Sequence, residues 1–364
     1  MNTPPDRPSL RISSPAGLLA VVPYLLGFTP TDSLVVVGAG RAVDRIQVAF
    51  RYDLPNPPDT GLATQISAHA TGVLARQHLT SAVVAGYGPA RLVTPVADAI
   101  WQAAAPAGVM LRDVLRVQDG RYWSYLCREP SCCPPEGVPF NAATHPAAKL
   151  LASTGMPVLA DRDALAATIA PVTGSEAAAM AQATRHAERT AAWMITRSGS
   201  RALEAPGLAA VRSAIEVYRD GGSITPAVGH AWLALVLTRL RIRDDAWARM
   251  DPAQHAAHRR LWTGLIRRAQ PRYVAAPACL LAVTAWQGGD GALANIALDR
   301  ALADTPGYSM ALLLRDVLDA GLPPSAAAPP MTPEEIATSY TSPSASQPAG
   351  PREQSDSANP TTGT

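Results

Sequence analysis

Residues 81–104 read SAVVAGYGPARLVTPVADAIWQAA, and this stretch decides the fold class. An apolar run of strand length, 81–85, stops at Gly86-Tyr87-Gly88-Pro89 and hands over to a helical pattern across 92–104. A buried strand passing through a glycine-rich turn into a helix is one unit of an α/β layer. Upstream, 34–37 and 46–52 are β-rich runs separated by Gly38-Ala39-Gly40-Arg41, which reads as a hairpin or short return, and 62–77 is helical. Downstream, strand-like 109–117 meets the aromatic strand 121–126 across Asp119-Gly120, a hairpin turn.

Ahead of this layer lies PAGLLAVVPYLLGF, residues 15–28, preceded by Arg7 and Arg11. It is too short to span a bilayer, contains Pro23, and runs into Thr-Pro-Thr-Asp-Ser rather than a small-residue cleavage site. It reads as a short buried helix with Ser13 or Ser14 as N-cap, Pro15 in the first turn, and Leu18, Leu19, Val22, Leu25 and Leu26 on its apolar face.

Beyond residue 146 the pattern becomes helix after helix: 165–170, 176–195, 208–218, 228–240, 253–269, 276–286, 293–303 and 308–320. Five of the seven tryptophans fall here, and they read as core filling in an alanine-rich bundle. Within 278–306, Ala282, Ala285, Ala294, Leu298 and Ala301 take the packing positions of a tetratricopeptide-type helical pair, with no second copy upstream. The expected architecture is an α/β N-terminal domain (10–145), an all-α helical-bundle domain with one tetratricopeptide-like hairpin (146–322), and a disordered C-terminal tail (323–364) of Pro, Ser, Thr and Ala.

With 48% hydrophobic residues, 16% charged residues and a mean hydropathy of +0.04, 364 residues are ample for two cores without disulfide or metal staples. A formal net charge of +2 gives no electrostatic case for nucleic acid or an anionic membrane as partner. Of the 31 Lys and Arg residues only Lys149 is lysine, which looks like codon bias from a GC-rich genome rather than phosphate binding. Four cysteines, three of them within 127–133, do not form a secreted disulfide framework, and a cytoplasmic location is expected.

No Walker-type phosphate loop, Gly-x-Ser-x-Gly elbow or His-Glu-x-x-His pair occurs. Gly38-Ala39-Gly40 follows a strand, yet the third glycine of a dinucleotide fingerprint is replaced by Val43 and a β-rich segment follows where a helix is required. The strand end at Gly86-Tyr87-Gly88-Pro89 is the better ligand candidate: Tyr87 and Arg91 offer a hydroxyl and a guanidinium, with Asp32 and Ser33 on a neighbouring loop. An ordinary β-to-α turn is the simpler reading. The most unusual string is Cys127-Arg-Glu-Pro-Ser-Cys132-Cys133-Pro134-Pro135, which with His145 offers four ligands for tetrahedral zinc; a metal-free proline-rigid knuckle and redox-active thiols are the other readings. His255 and His258, with Arg259, Arg260, Arg267, Arg268 and Arg272, read as a solvated face or an anion-binding surface, and Asp244-Asp245 as a helix cap.

The opening strings, Arg11 through Ala20, Val22 through Phe28 and Pro30 through Val37, resemble those of an uncharacterised actinobacterial family, the domain of unknown function 4192. Arg51-Tyr-Asp53-Leu-Pro55, the Cys132-Cys133-Pro134-Pro135-Glu-Gly137 knuckle and Ala285-Trp286 with Gly289-Asp290 extend the resemblance over about residues 10–322. It implies a soluble cytoplasmic protein and brings no assigned activity, substrate or catalytic residue. The functional expectation is therefore a non-enzymatic binding or regulatory module with a protein or small-molecule partner. The alternative is an enzyme, a hydrolase or transferase, using a pocket near Tyr87.

Overall fold

A computed structural model describes residues 14–39, 46–324 and 331–341. Ser14 caps helix α1 (Pro15–Leu26), its hydroxyl accepting from the Gly17 amide at 3.1 Å, and Gly27 ends the helix in the left-handed conformation. Six strands follow: β1 (Ser33–Ala39), β2 (Ile46–Asp53), β3 (Ser81–Tyr87), β4 (Met110–Gln118), β5 (Arg121–Ser124) and β6 (Val138–Pro139). They form one sheet in the order β2-β1-β3-β4-β5-β6. Only β3 and β4 pair in parallel, and helix α3 (Ala90–Ala104) makes the crossover that such a pair requires. Helix α2 (Thr60–Arg76) joins β2 to β3. The β4–β5 turn is Asp119-Gly120, both at positive φ as a two-residue hairpin demands.

The period-two alternation of β1 and β3 divides the hydrophobic interior. Leu34, Val36 and Val84 pack with α2 and α3 on one face. Val35, Val37, Ala85 and Tyr87 face the other way, into a core continuous with that of the helical half. That half comprises α4 (Pro146–Ser153), α5 (Arg162–Ala167), α6 (Gly174–Ser198), α7 (Glu204–Arg219), α8 (Ala227–Val236), α9 (Leu240–Ala248), α10 (His255–Arg268), α11 (Ala275–Gln287), α12 (Gly291–Asp304) and α13 (Ser309–Asp319). Structural class thus changes between β6 and α4. Helices α11 and α12 are the expected hairpin, with Ala282, Ala285, Ala294, Leu298 and Ala301 all buried. No helix among the described residues is long and apolar enough to cross a membrane.

Several local expectations change. The helix expected over 228–240 is two: Thr238 and Arg239 amides bond three residues back, Arg239 turns extended, and α9 starts afresh at Leu240. Asp244 and Asp245 therefore lie inside α9 and cap nothing. His258 belongs to the core rather than a solvated face: it is 3% exposed, stacks on Trp262 and accepts from the Asp251 amide. Its neighbouring arginines are engaged within the fold, Arg259 with Asp290, Arg260 with the Tyr218 carbonyl and Arg268 with Glu176. Trp262 and Trp286 fill the core as expected, but Trp193 is 60% exposed beside Arg197. Within the stretch expected to be disordered, Pro333–Thr341 forms helix α14 and Ile336 is buried. Residues 342–364, and Ser13, Gly40, Arg41 and Val43, lie outside the described residues.

Candidate metal centre

The cysteine knuckle is built on the sheet's edge. Ser124 ends β5 by accepting from the Leu126 and Cys127 amides while donating to Asp113 at 2.6 Å, which turns the chain sharply outward. The Glu129 carbonyl then accepts from both the Cys132 and Cys133 amides, folding the second half of the loop back over the first. The loop closes on Trp123, whose indole donates to the Pro135 carbonyl at 3.0 Å and whose ring holds the Arg116 guanidinium 3.6 Å from its centroid. Gly137, at φ +84°, passes so close that a Cβ there would stand 2.5 Å from the ring.

This frame brings three sulfurs together. Cys127 Sγ lies 3.1 Å from Cys132 Sγ, Cys132 Sγ lies 3.7 Å from Cys133 Sγ, and all three fall within 4.8 Å of one another. Hydrogen bonding from Cys133, then from Cys132, holds the Cys127 thiol below its ordinary pKa. The same bonding lifts the partners, Cys133 to about 12 through Cys127 first and burial second. Three mutually hydrogen-bonded sulfurs are the donor type that soft metals take. Zinc bonded to sulfur at about 2.3 Å needs sulfurs roughly 3.8 Å apart, a spacing that the observed 3.1, 3.7 and up to 4.8 Å bracket.

His145 does not join them. It precedes Pro146, which holds it extended, and its Nδ1 accepts from the Ala147 amide at 3.2 Å as the cap of α4. Among the described residues no fourth His, Cys, Asp or Glu brings a ligand atom into the group.

The strand-end residues are arranged differently from a pocket. Ser33 and Tyr87 are register partners across β1 and β3, and a Cβ on Gly88 would stand 3.2 Å from the Asp32 carboxylate. Yet Ser33 is fully buried, donating to the Thr31 carbonyl and accepting from Arg51 Nε at 2.7 Å. Tyr87 points into the core shared with α1, its hydroxyl buried without a hydrogen-bond partner among the described residues. Arg91 turns to solvent and reaches Asn56. Gly38, where the sequence argues against a dinucleotide turn, is a packing residue: a Cβ there would stand 2.7 Å from Leu74 and from Leu79.

Sequence reasoning missed a cleft of about 300 Å³ beside the knuckle, lined by Asp98, Trp101, Tyr125, Leu126 and Arg128 among others. Trp101 is 53% exposed there, and Tyr125 is held by a 2.7 Å bond to Thr94. The available signal was a large aromatic on the polar face of α3.

No curated protein and no solved structure matches the chain. The family model described as "Domain of unknown function (DUF4192)" matches residues 15–325, spanning the sheet, the knuckle and the helical half through α13, and the chain belongs to that family.

Proposed function

We propose that this protein is a non-enzymatic binding or regulatory module whose working site is the three-thiol knuckle, taking one thiophilic metal ion, zinc foremost. The observation that carries the reading is the convergence of Cys127, Cys132 and Cys133 sulfurs within 4.8 Å on a loop fixed by Trp123, Glu129 and Gly137. Three thiolates leave one position of a tetrahedral ion for a ligand from outside the described residues. The adjoining cleft, with Trp101 and Tyr125 on its walls, gives that ligand a surface to lie against. Free thiols at the surface suit a reducing cytoplasm.

The test is cobalt(II) titration of the reduced, metal-free full chain, followed by zinc competition. The expected result is one equivalent of cobalt with sulfur-to-metal charge-transfer absorption in the near ultraviolet, displaced by zinc, and loss of the band in Cys127→Ser and Cys133→Ser. Absence of the band in the folded wild-type chain overturns the reading.

A further inference from the structure

Helix α14 lies beyond the stretch that matches the family, 15–325, and packs on α9, which lies within it. Within this chain, α14 covers a face of α9 that belongs to the matched stretch. The contact is small and specific. Ile336 is 3% exposed, and one turn later the Tyr340 hydroxyl donates to Asp244 at 2.7 Å while the Arg241 guanidinium stands 5.7 Å from the Tyr340 ring centroid.

Charge runs the same way. The receiving face gathers Arg241, Arg243 and Arg249 from α9 and Arg212 from α7 around Asp244 and the buried Asp245. The first turn of α14 carries Glu334 and Glu335. The helix also defines its own start: Thr332 and Glu335 form a capping box, the Thr332 amide donating to the Glu335 carboxylate at 2.7 Å and the Glu335 amide to the Thr332 hydroxyl at 3.2 Å. A nine-residue helix does not hold itself together in water, so its order is lent by the face it sits on.

We infer that the α9 face, with Arg212, Arg241 and Asp244 around the seat of Ile336, is a recognition site for a short acidic amphipathic helix, an aliphatic anchor followed one turn later by tyrosine, and that α14 occupies it in cis. The partner it fits is another protein's helix of that pattern, read as an anchor pair at i and i+4 with a carboxylate-rich first turn. Binding a partner displaces α14, and α14 sets the threshold that the partner must exceed.

The experiment uses the full chain and a fluorescein-labelled peptide of residues 331–341. Ile336→Asp with Tyr340→Ala empties the face without touching it. The peptide is expected to bind this double variant at least ten-fold more tightly than the wild type. Addition of Arg241→Glu to the double variant, or raised salt, is expected to abolish that binding. Equal binding to wild type and double variant, no binding to either, or binding that survives Arg241→Glu overturns the inference, as does a wild-type dimer in which the α14 helices are exchanged. Hydrogen exchange on the unaltered chain decides independently: α14 amides exchange well ahead of α9 and α11 if the helix releases alone, and exchange together with them if the inference is wrong.

Discussion

His69 in α2 holds the backbone carbonyl of Asp319, at the last residue of α13, at 2.6 Å. A carbonyl only accepts, so Nε2 donates here, and Nδ1 shares a hydrogen bond with the Tyr52 hydroxyl at 2.6 Å. Arg76 and Gln77 extend the grip to the Ala320 and Gly321 carbonyls. The end of one helix thus satisfies the orphan carbonyls of another, some 250 residues away in the chain.

Substitution at this junction has a graded outcome. His69→Ala removes partly exposed hydrogen bonds and is expected to cost about 1 kcal/mol. Gly321→Ala is expected to cost more, about 2 kcal/mol, because the residue sits at φ +66° and its Cβ would stand 2.4 Å from a Val73 methyl. Urea denaturation of the two variants beside the wild type gives the order directly.

Asp245 is fully buried and meets Arg212 at 2.8 Å, Arg249 at 2.7 Å and Arg241 at 3.5 Å. Burial alone would raise its carboxyl; the Arg212 and Arg249 guanidiniums more than reverse this and hold it below the ordinary value. Asp245→Asn is expected to destabilise by roughly 3 kcal/mol, since the arginines lose the charge that compensates them. A depressed carboxylate stabilises above its unfolded pKa and loses that contribution as pH falls through the folded value. The gap between wild type and variant in denaturation midpoint therefore narrows in acid and is full at neutral pH.

The four thiols separate by accessibility. Cys279 is buried in α11, and burial pushes it up to about 12. Iodoacetamide followed by mass mapping is expected to label Cys127, Cys132 and Cys133 in the native reduced chain and to reach Cys279 only after unfolding. Saturating zinc is expected to protect the three together. Protection of one thiol alone would show that they do not act as a set.

Gly137→Ala pushes a methyl into the Trp123 ring and forces the second half of the knuckle outward. The expected result is a loss of about ten-fold in cobalt affinity, the scale of disturbing a ligand's supporting shell. Circular dichroism of the helical half is expected to stay unchanged.

How much of this was written locally differs element by element. The Val-rich β1 and β3, the Asp119-Gly120 turn and the α11–α12 hairpin follow from short-range pattern and turn chemistry, so the sequence displays them. The role of Asp245 depends on Arg212, thirty-three residues upstream and on another helix, and two adjacent acids look like a cap when only neighbours are visible. At the knuckle, the clustering of thiols is legible, while His145 stands apart with its Nδ1 capping α4, a contact that the spacing of ligand types does not display. Helix α14 was hidden by its Pro, Ser, Thr and Ala surroundings, although Thr332-Pro-Glu-Glu335 ahead of Ile336 and Tyr340 is a capping box before an i, i+4 pair.

The sheet's last strand, β6, pairs only two residues with β5, and one of them is Pro139. Proline has no amide hydrogen, so the outer rim of this strand offers an incoming chain almost nothing to extend a ladder upon. That side of the molecule is sealed against strand addition, the route by which exposed sheet edges seed aggregates. A surface loop bearing three thiols can therefore sit at a sheet margin without inviting a neighbouring molecule's backbone to join it.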